Sequence, residues 1–92
     1  MFNSHAEIPM TAPGRCLTRL CRHWSHKFAV RFDETSAHIP FDPAVCELQV
    51  IDGGLRVTLQ SPDHAELVEL QGVVVDHLQR MAGETFDVEW RN

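Results

Sequence analysis

The sequence predicts a two-layer α+β domain, an antiparallel sheet with two helices on one face, in the order β-α-β-β-β-β-α-β. Two segments, Thr11 to about His26 and Ser61 to Met81 or Ala82, repeat apolar residues at the helical period. Four runs between them alternate with period two and are separated by short turns. With 92 residues at 43% hydrophobic, residues 1–92 read as a single domain. A chain of this size buries roughly 60–65% of its unfolded surface, enough for one sheet under two helices.

The first strand is read at His5 to Met10, where Ala6, Ile8 and Met10 alternate with His5, Glu7 and Pro9. A proline in the run suits an edge strand, which has no ladder partner on one side. Thr11 is the expected cap of the first helix and Pro13 falls in its first turn. Cys16, Leu17, Leu20, Cys21 and Trp24 lie within about 140° of one another at roughly 100° per residue, and this arc is the core face. Four strands follow at Phe28–Phe32, Ala37–Phe41, Val45–Ile51 and Leu55–Gln60, with turns at Asp33-Glu34-Thr35-Ser36 and Asp52-Gly53-Gly54. Their inward set is Phe28, Val30, Phe32, Ile39, Phe41, Cys46, Leu48, Val50, Leu55, Val57 and Leu59. Arg31, His38, Glu47, Gln49, Arg56 and Thr58 alternate outward, so one face of the sheet is open to water or to a partner.

Ser61-Pro62-Asp63 carries a cap residue, a proline and an acid, the composition of a helix start. Leu67, Leu70, Val74, Leu78 and Met81 form the apolar stripe of that helix, and Gly83 ends it. Phe86, Val88 and Trp90 alternate in an expected closing strand.

Net charge is −5, unevenly spread. Between Ile8 and Phe32 stand Arg15, Arg19, Arg22, Lys27 and Arg31 with no acid, whereas the remainder holds three cations and thirteen acids. One helix is locally basic on an acidic body, which argues against a general nucleic-acid binder. Cys16, Cys21 and Cys46 are odd in number and lack C-x-x-C spacing, as expected of reduced core thiols in a cytoplasmic protein. No leader-like amino terminus and no apolar run of membrane-spanning length is read, so no membrane partner is expected.

Three stretches in order resemble a known bacterial family, domain of unknown function 2218. They are Leu20-Cys21-Arg22-His23-Trp24-Ser25-His26-Lys27-Phe28, the hairpin Phe32-Asp33-Glu34 through Ile39-Pro40-Phe41, and Val73-Val74-Val75-Asp76-His77-Leu78-Gln79-Arg80 with Trp90. Cys16 and Met81 depart from the pattern, which carries tyrosine at the first and commonly an aromatic at the second. The resemblance implies a curved antiparallel sheet under two helices, similar to the TATA-binding-protein arrangement. It implies no established activity. Members joined to, or beside, siderophore-interacting flavin reductases imply an association with iron acquisition, by context and not by chemistry.

The densest chemistry is Cys21 to Phe28, where two imidazoles, an indole and two fixed cations end one helix. His23 and His26, three apart, have the spacing of a metal pair, with His77 as third ligand, zinc or iron as the ion, and Asp76 or Glu69 as orienting carboxylates. Against this, histidine beside Arg22 and Lys27 in a last helical turn is favoured by the helix dipole alone. Arg15, Arg19, Arg22 and His26 follow i, i+4, i+7, i+11. That stripe could hold a carboxylate or phosphate, or pair with Glu66, Glu69 and Asp76.

Cys21 has cations nearby that would lower a thiol's pKa, although its apolar arc points to burial. Val68, Gly72 and Val75 form a small patch on the second helix that could be a homodimer contact. The leading expectation is a non-enzymatic accessory or binding module. Its candidate ligand residues are Arg15, Arg19, Arg22, His23, His26 and Lys27, and its expected partners are a siderophore or small anion and a flavin-dependent siderophore reductase. The alternatives are a small metal- or thiol-dependent enzyme and a homo-oligomeric interaction domain.

Overall fold

Alternation of apolar and polar residues at the amino terminus builds an edge strand. In the computed structural model, which describes residues 1–92, β1 spans Phe2–Pro9 and buries Ser4, Ala6 and Ile8 while their neighbours stay exposed. Helix α1 spans Pro13–Trp24 and buries the arc Cys16, Leu17, Leu20, Cys21 and Trp24. Strands β2 (Arg31–Phe32), β3 (Ser36–Phe41), β4 (Ala44–Ile51) and β5 (Gly54–Ser61) follow, then α2 over His64–Ala82. All strand pairs are antiparallel, in the order β1-β5-β4-β3-β2. The last three pairs of that order are hairpins between sequence neighbours; β1 reaches its place beside β5 across the whole middle of the chain.

Helix α1 packs over β3 and β4, and α2 over β5 and β1. The side chains between the layers form one cluster of 20 buried residues, with Leu17, Leu20, Ile39, Cys46, Leu55, Val57, Leu59, Val74 and Leu78 fully enclosed. The outward set predicted for β3 to β5 leaves the opposite face of the sheet polar.

Several boundaries differ from the sequence reading, each for a local reason. Helix α1 ends at Trp24 and not near His26: Ser25 N–H makes the last regular bond, to Cys21 O at 2.9 Å beside its own hydroxyl at 2.6 Å, and the ladder then tightens as Lys27 N–H donates to Trp24 O, three residues back, at 3.0 Å. Lys27 and Phe28 N–H then fold back onto Trp24 O, which takes Phe28 out of any strand and leaves β2 only two residues long. Phe32, expected inward, is 41% exposed at the sheet's rim.

Thr11 is not the cap of α1. Ala12 occupies that position without a side-chain bond, and the Thr11 N–H instead donates to Glu84 Oε2 at 3.1 Å. The start of α2 moves from Ser61 to Asp63, whose carboxylate accepts from Ala65 N–H at 3.0 Å. Ser61 ends β5, where its oxygen accepts from Asp63 N–H and its hydroxyl donates to Glu66. Gly83, at φ +70°, closes α2 in the left-handed conformation that favours glycine.

The expected closing strand does not form. Phe86, Val88 and Trp90 keep their alternation and pack half-buried against the core, but the backbone pairs with β1 only between His5 and Arg91. The amide of Phe86 is taken by the Gln79 side chain at 2.9 Å, so this segment is anchored by side chains more than by a ladder.

Candidate functional site

Three residues of α1 spaced i, i+3, i+7 face α2 in succession. The Cys16 thiol donates to Leu78 O at 3.6 Å and Arg19 Nη1 donates to Met81 O at 3.2 Å. The ring of His23 lies 5.5 Å from that of His77, centre to centre. Arg19 thereby supplies a cation to the carboxyl end of α2, where unpaired carbonyls concentrate partial negative charge.

His77 sits between the two helices and the indole of Trp24. Its ring centre is 4.9 Å from Trp24, and Trp24 in turn meets Phe41 edge to face at 4.9 Å, with Phe28 against Phe41 at 4.8 Å. His77 Nδ1 lies 2.7 Å from Val73 O. A carbonyl only accepts, so Nδ1 carries the proton, and Nε2 of the neutral ring is left as the basic nitrogen. His23 is exposed, and neither of its nitrogens bonds a protein group.

The structure brings together some of the residues singled out in the sequence and separates others. His23 and His77 meet. His26 does not join them: it falls in the turn beyond Trp24, off the helical spacing that related it to His23 and to the arginine stripe. No group of three His, Cys, Asp or Glu side chains is placed to hold a metal, so the His23, His26, His77 triad is not assembled. Asp76, considered as an orienting carboxylate, pairs with Arg80 at 2.9 Å.

Arg15, Arg19 and Arg22 do form one stripe, lining a shallow depression with Thr18 and Glu34. The expected ion pairs from this stripe to Glu66, Glu69 and Asp76 are not made. Arg56 pairs with Glu7 and Arg80 with Asp76, whereas Arg15, Arg19, Arg22, Lys27 and Arg31 engage no carboxylate. All five are exposed.

Burial decides the chemistry of the three thiols. Cys16 and Cys21 are pushed up from 9.0 to about 11 by desolvation, with Glu84 adding to the rise at Cys16 and Arg19 opposing it. Cys46, fully enclosed, is pushed up further, by desolvation first. All three are free thiols, and burial disfavours the thiolate form in each. The cations near Cys21 in sequence project elsewhere and do not offset its burial.

The open face of the sheet holds an arrangement that element-by-element reading did not reveal. Strand register places Arg31, His38, Glu47, Thr58 and His5 in one continuous row across all five strands. His38 Nδ1 stands 4.0 Å from Glu47, and Arg56 reaches Glu7 through two nitrogens in the neighbouring row. Each residue was predicted to face outward; their alignment depends on register, which the alternation alone does not fix. On α2, Val68 is 51% exposed and Gly72 has open space around it, as a surface patch would require. No helix is long and apolar enough to cross a membrane.

The fold and site define a small two-layer α+β domain with a basic helix, α1, on an otherwise acidic body. The chain belongs to the family described as an uncharacterised protein conserved in bacteria, DUF2218, whose pattern matches residues 5–91. It is also similar to the NMR structure of PA4090 from Pseudomonas aeruginosa, at 38% identity and a TM-score of 0.85, over 99% of this chain and 96% of that one. No curated protein matches.

Proposed function

We propose that this chain is a non-enzymatic binding or accessory module that receives a carboxylate- or phosphate-bearing ligand on the exposed face of α1. Arg15 and Arg22 are the principal contacts, Arg19 and Lys27 flank them, and His23 stands at the edge. The observation that carries the reading is the lack of any carboxylate partner for these cations, in a chain whose acids outnumber its cations by thirteen to eight. Arg15 and Arg22 stand about two helical turns apart with Arg19 between them, and each exposed guanidinium offers a planar donor set suited to a bidentate oxyanion.

Iron or siderophore handling beside a flavin-dependent reductase is the setting we attach to this module, on family context alone. Ferric siderophores commonly present oxyanions, which agrees with the chemistry of the stripe. Three buried reduced thiols agree with a reducing, cytoplasmic setting. The TATA-binding-protein arrangement remains a fold analogy and lends no nucleic-acid role to an acidic chain.

Backbone amide titration with inorganic phosphate, citrate and a ferric siderophore tests the reading. Saturable shifts confined to Arg15–Lys27 are expected, weakened in Arg22→Ala. Shifts spread over the surface, or none, refute it.

A further inference from the structure

The contact between His23 and His77 joins two exposed or half-exposed imidazoles from different helices, and neither the packing nor the anion reading uses it. A metal held about 2.1 Å from an imidazole nitrogen lies about 3.2 Å from the ring centre, so two rings sharing it at a tetrahedral angle stand about 5.2 Å apart. His23 and His77 stand at 5.5 Å. The bond from His77 Nδ1 to Val73 O fixes the tautomer and leaves Nε2 as the available donor nitrogen, the way ligating histidines are commonly held. His23 has no competing hydrogen bond, so either nitrogen is available by rotation of an exposed side chain.

We propose that His23 and His77 form a two-imidazole site for one divalent transition metal, bridging the last turn of α1 to α2. The ligand set decides which metals fit. No carboxylate or thiolate is placed with the pair, so the site lacks the third ligand that ferrous iron takes in two-histidine, one-carboxylate centres. Imidazole nitrogens alone suit Cu²⁺, Ni²⁺ and Zn²⁺, with copper the tightest by the usual order, and water fills the remaining positions. Glu69 lies eight residues before His77 on α2, about 12 Å along the axis, and does not reach the ion. Arg22 projects about 100° around α1 from His23; Arg19, one turn before His23 on the same row, is engaged by Met81 O, and Asp76 and Arg80 cancel beside His77.

The test uses the full chain purified without a histidine tag. Titration with Zn²⁺, followed by the ring nitrogens of the histidines in ¹⁵N spectra, should saturate at one equivalent, with shifts confined to His23 and His77. Cu²⁺ should compete for the same site. His23→Ala and His77→Ala should each weaken binding tenfold or more, and His26→Ala and His64→Ala should leave it unchanged. His23 is exposed, so its variant keeps the fold and decides the matter even where loss of His77 disturbs Trp24. Arg22→Ala should weaken phosphate and leave zinc binding intact, separating this site from the anion face. Undiminished binding in His23→Ala, saturation tracked by other histidines, or no saturable response up to millimolar Zn²⁺ would overturn the proposal.

Discussion

Trp24 meets Phe41 edge to face, the two rings perpendicular at 90° and 4.9 Å apart, and this contact pins the end of α1 to β3. Trp24 is 4% exposed and also supports His77, so the indole is the common wall of the core and of the histidine pair. Trp24→Ala should cost about 3–5 kcal/mol, the usual range for truncating a buried aromatic. Trp24→Phe should cost less, since it keeps a ring against Phe41. Urea unfolding of both variants checks the order; a loss below about 1 kcal/mol in Trp24→Ala would mean the indole is not part of the core.

Adjacent glycines in the β4–β5 turn should respond oppositely to the same substitution. A Cβ on Gly54 would run into the backbone carbonyl of Ile8 and reach 3.0 Å from Pro9 Cα, where β1 crosses β5 closely. Gly54→Ala must therefore push β1 from the sheet and should unfold or severely destabilise the chain. Gly53 has open space around it but φ of +80°, so Gly53→Ala should cost only about 1 kcal/mol. Thermal melts of the two variants decide it, and equal losses would contradict the close approach at Gly54.

Alkaline pH should weaken the fold through its thiols. Burial pushes Cys16 and Cys21 up from 9.0 to about 11 in the folded chain, and Cys46 further. Above pH 9 the unfolded chain loses thiol protons that the folded chain retains. The unfolded state then binds fewer protons, and stability falls as pH rises from 9 towards 11. Denaturant midpoints between pH 8 and 10.5 should decline, and the triple Cys→Ala variant should flatten that decline. At neutral pH a thiol reagent should find no fast-reacting group in the native protein and three after denaturation.

The helices and the hairpins were legible because each element states its own period. Leu67, Leu70, Val74 and Leu78 define α2 within one stripe, and Gly83 ends it where its backbone turns left-handed. What depends on partners distant in sequence was not legible. A local exception is the turn that removes His26 from the helix, where Lys27 N–H bonds Trp24 O three residues back, a choice between competing local hydrogen bonds that the helical period does not express. The closing strand was read from the alternation of Phe86, Val88 and Trp90, which reports burial of one side and says nothing of a ladder. The pairing of His23 with His77 was legible in part: the sequence offers His77 beside His23 and His26 as a candidate third ligand, and the helix crossing brings His77 to His23 while the turn after Trp24 leaves His26 out.

Arg19 and Arg22, three residues apart on one stripe, should separate structure from binding. Arg19 closes α2 through Met81 O, so Arg19→Ala should lose about 0.5–1.5 kcal/mol of stability, the net worth of one hydrogen bond. Arg22 touches no protein acceptor or acid, and Arg22→Ala should shift stability by no more than about 0.5 kcal/mol. Binding should invert the order. Where an oxyanion sits on the free guanidinium of Arg22, losing a charge-assisted bond should cost about 1.5–3 kcal/mol of affinity. Arg22→Lys should recover only part of it, because an ammonium keeps the charge and loses the bidentate plane. Affinity for citrate or phosphate, measured beside the urea midpoint for all three variants, gives both quantities. If Arg22→Ala destabilises the fold as much as Arg19→Ala and leaves anion affinity unchanged, the basic face of α1 serves packing alone.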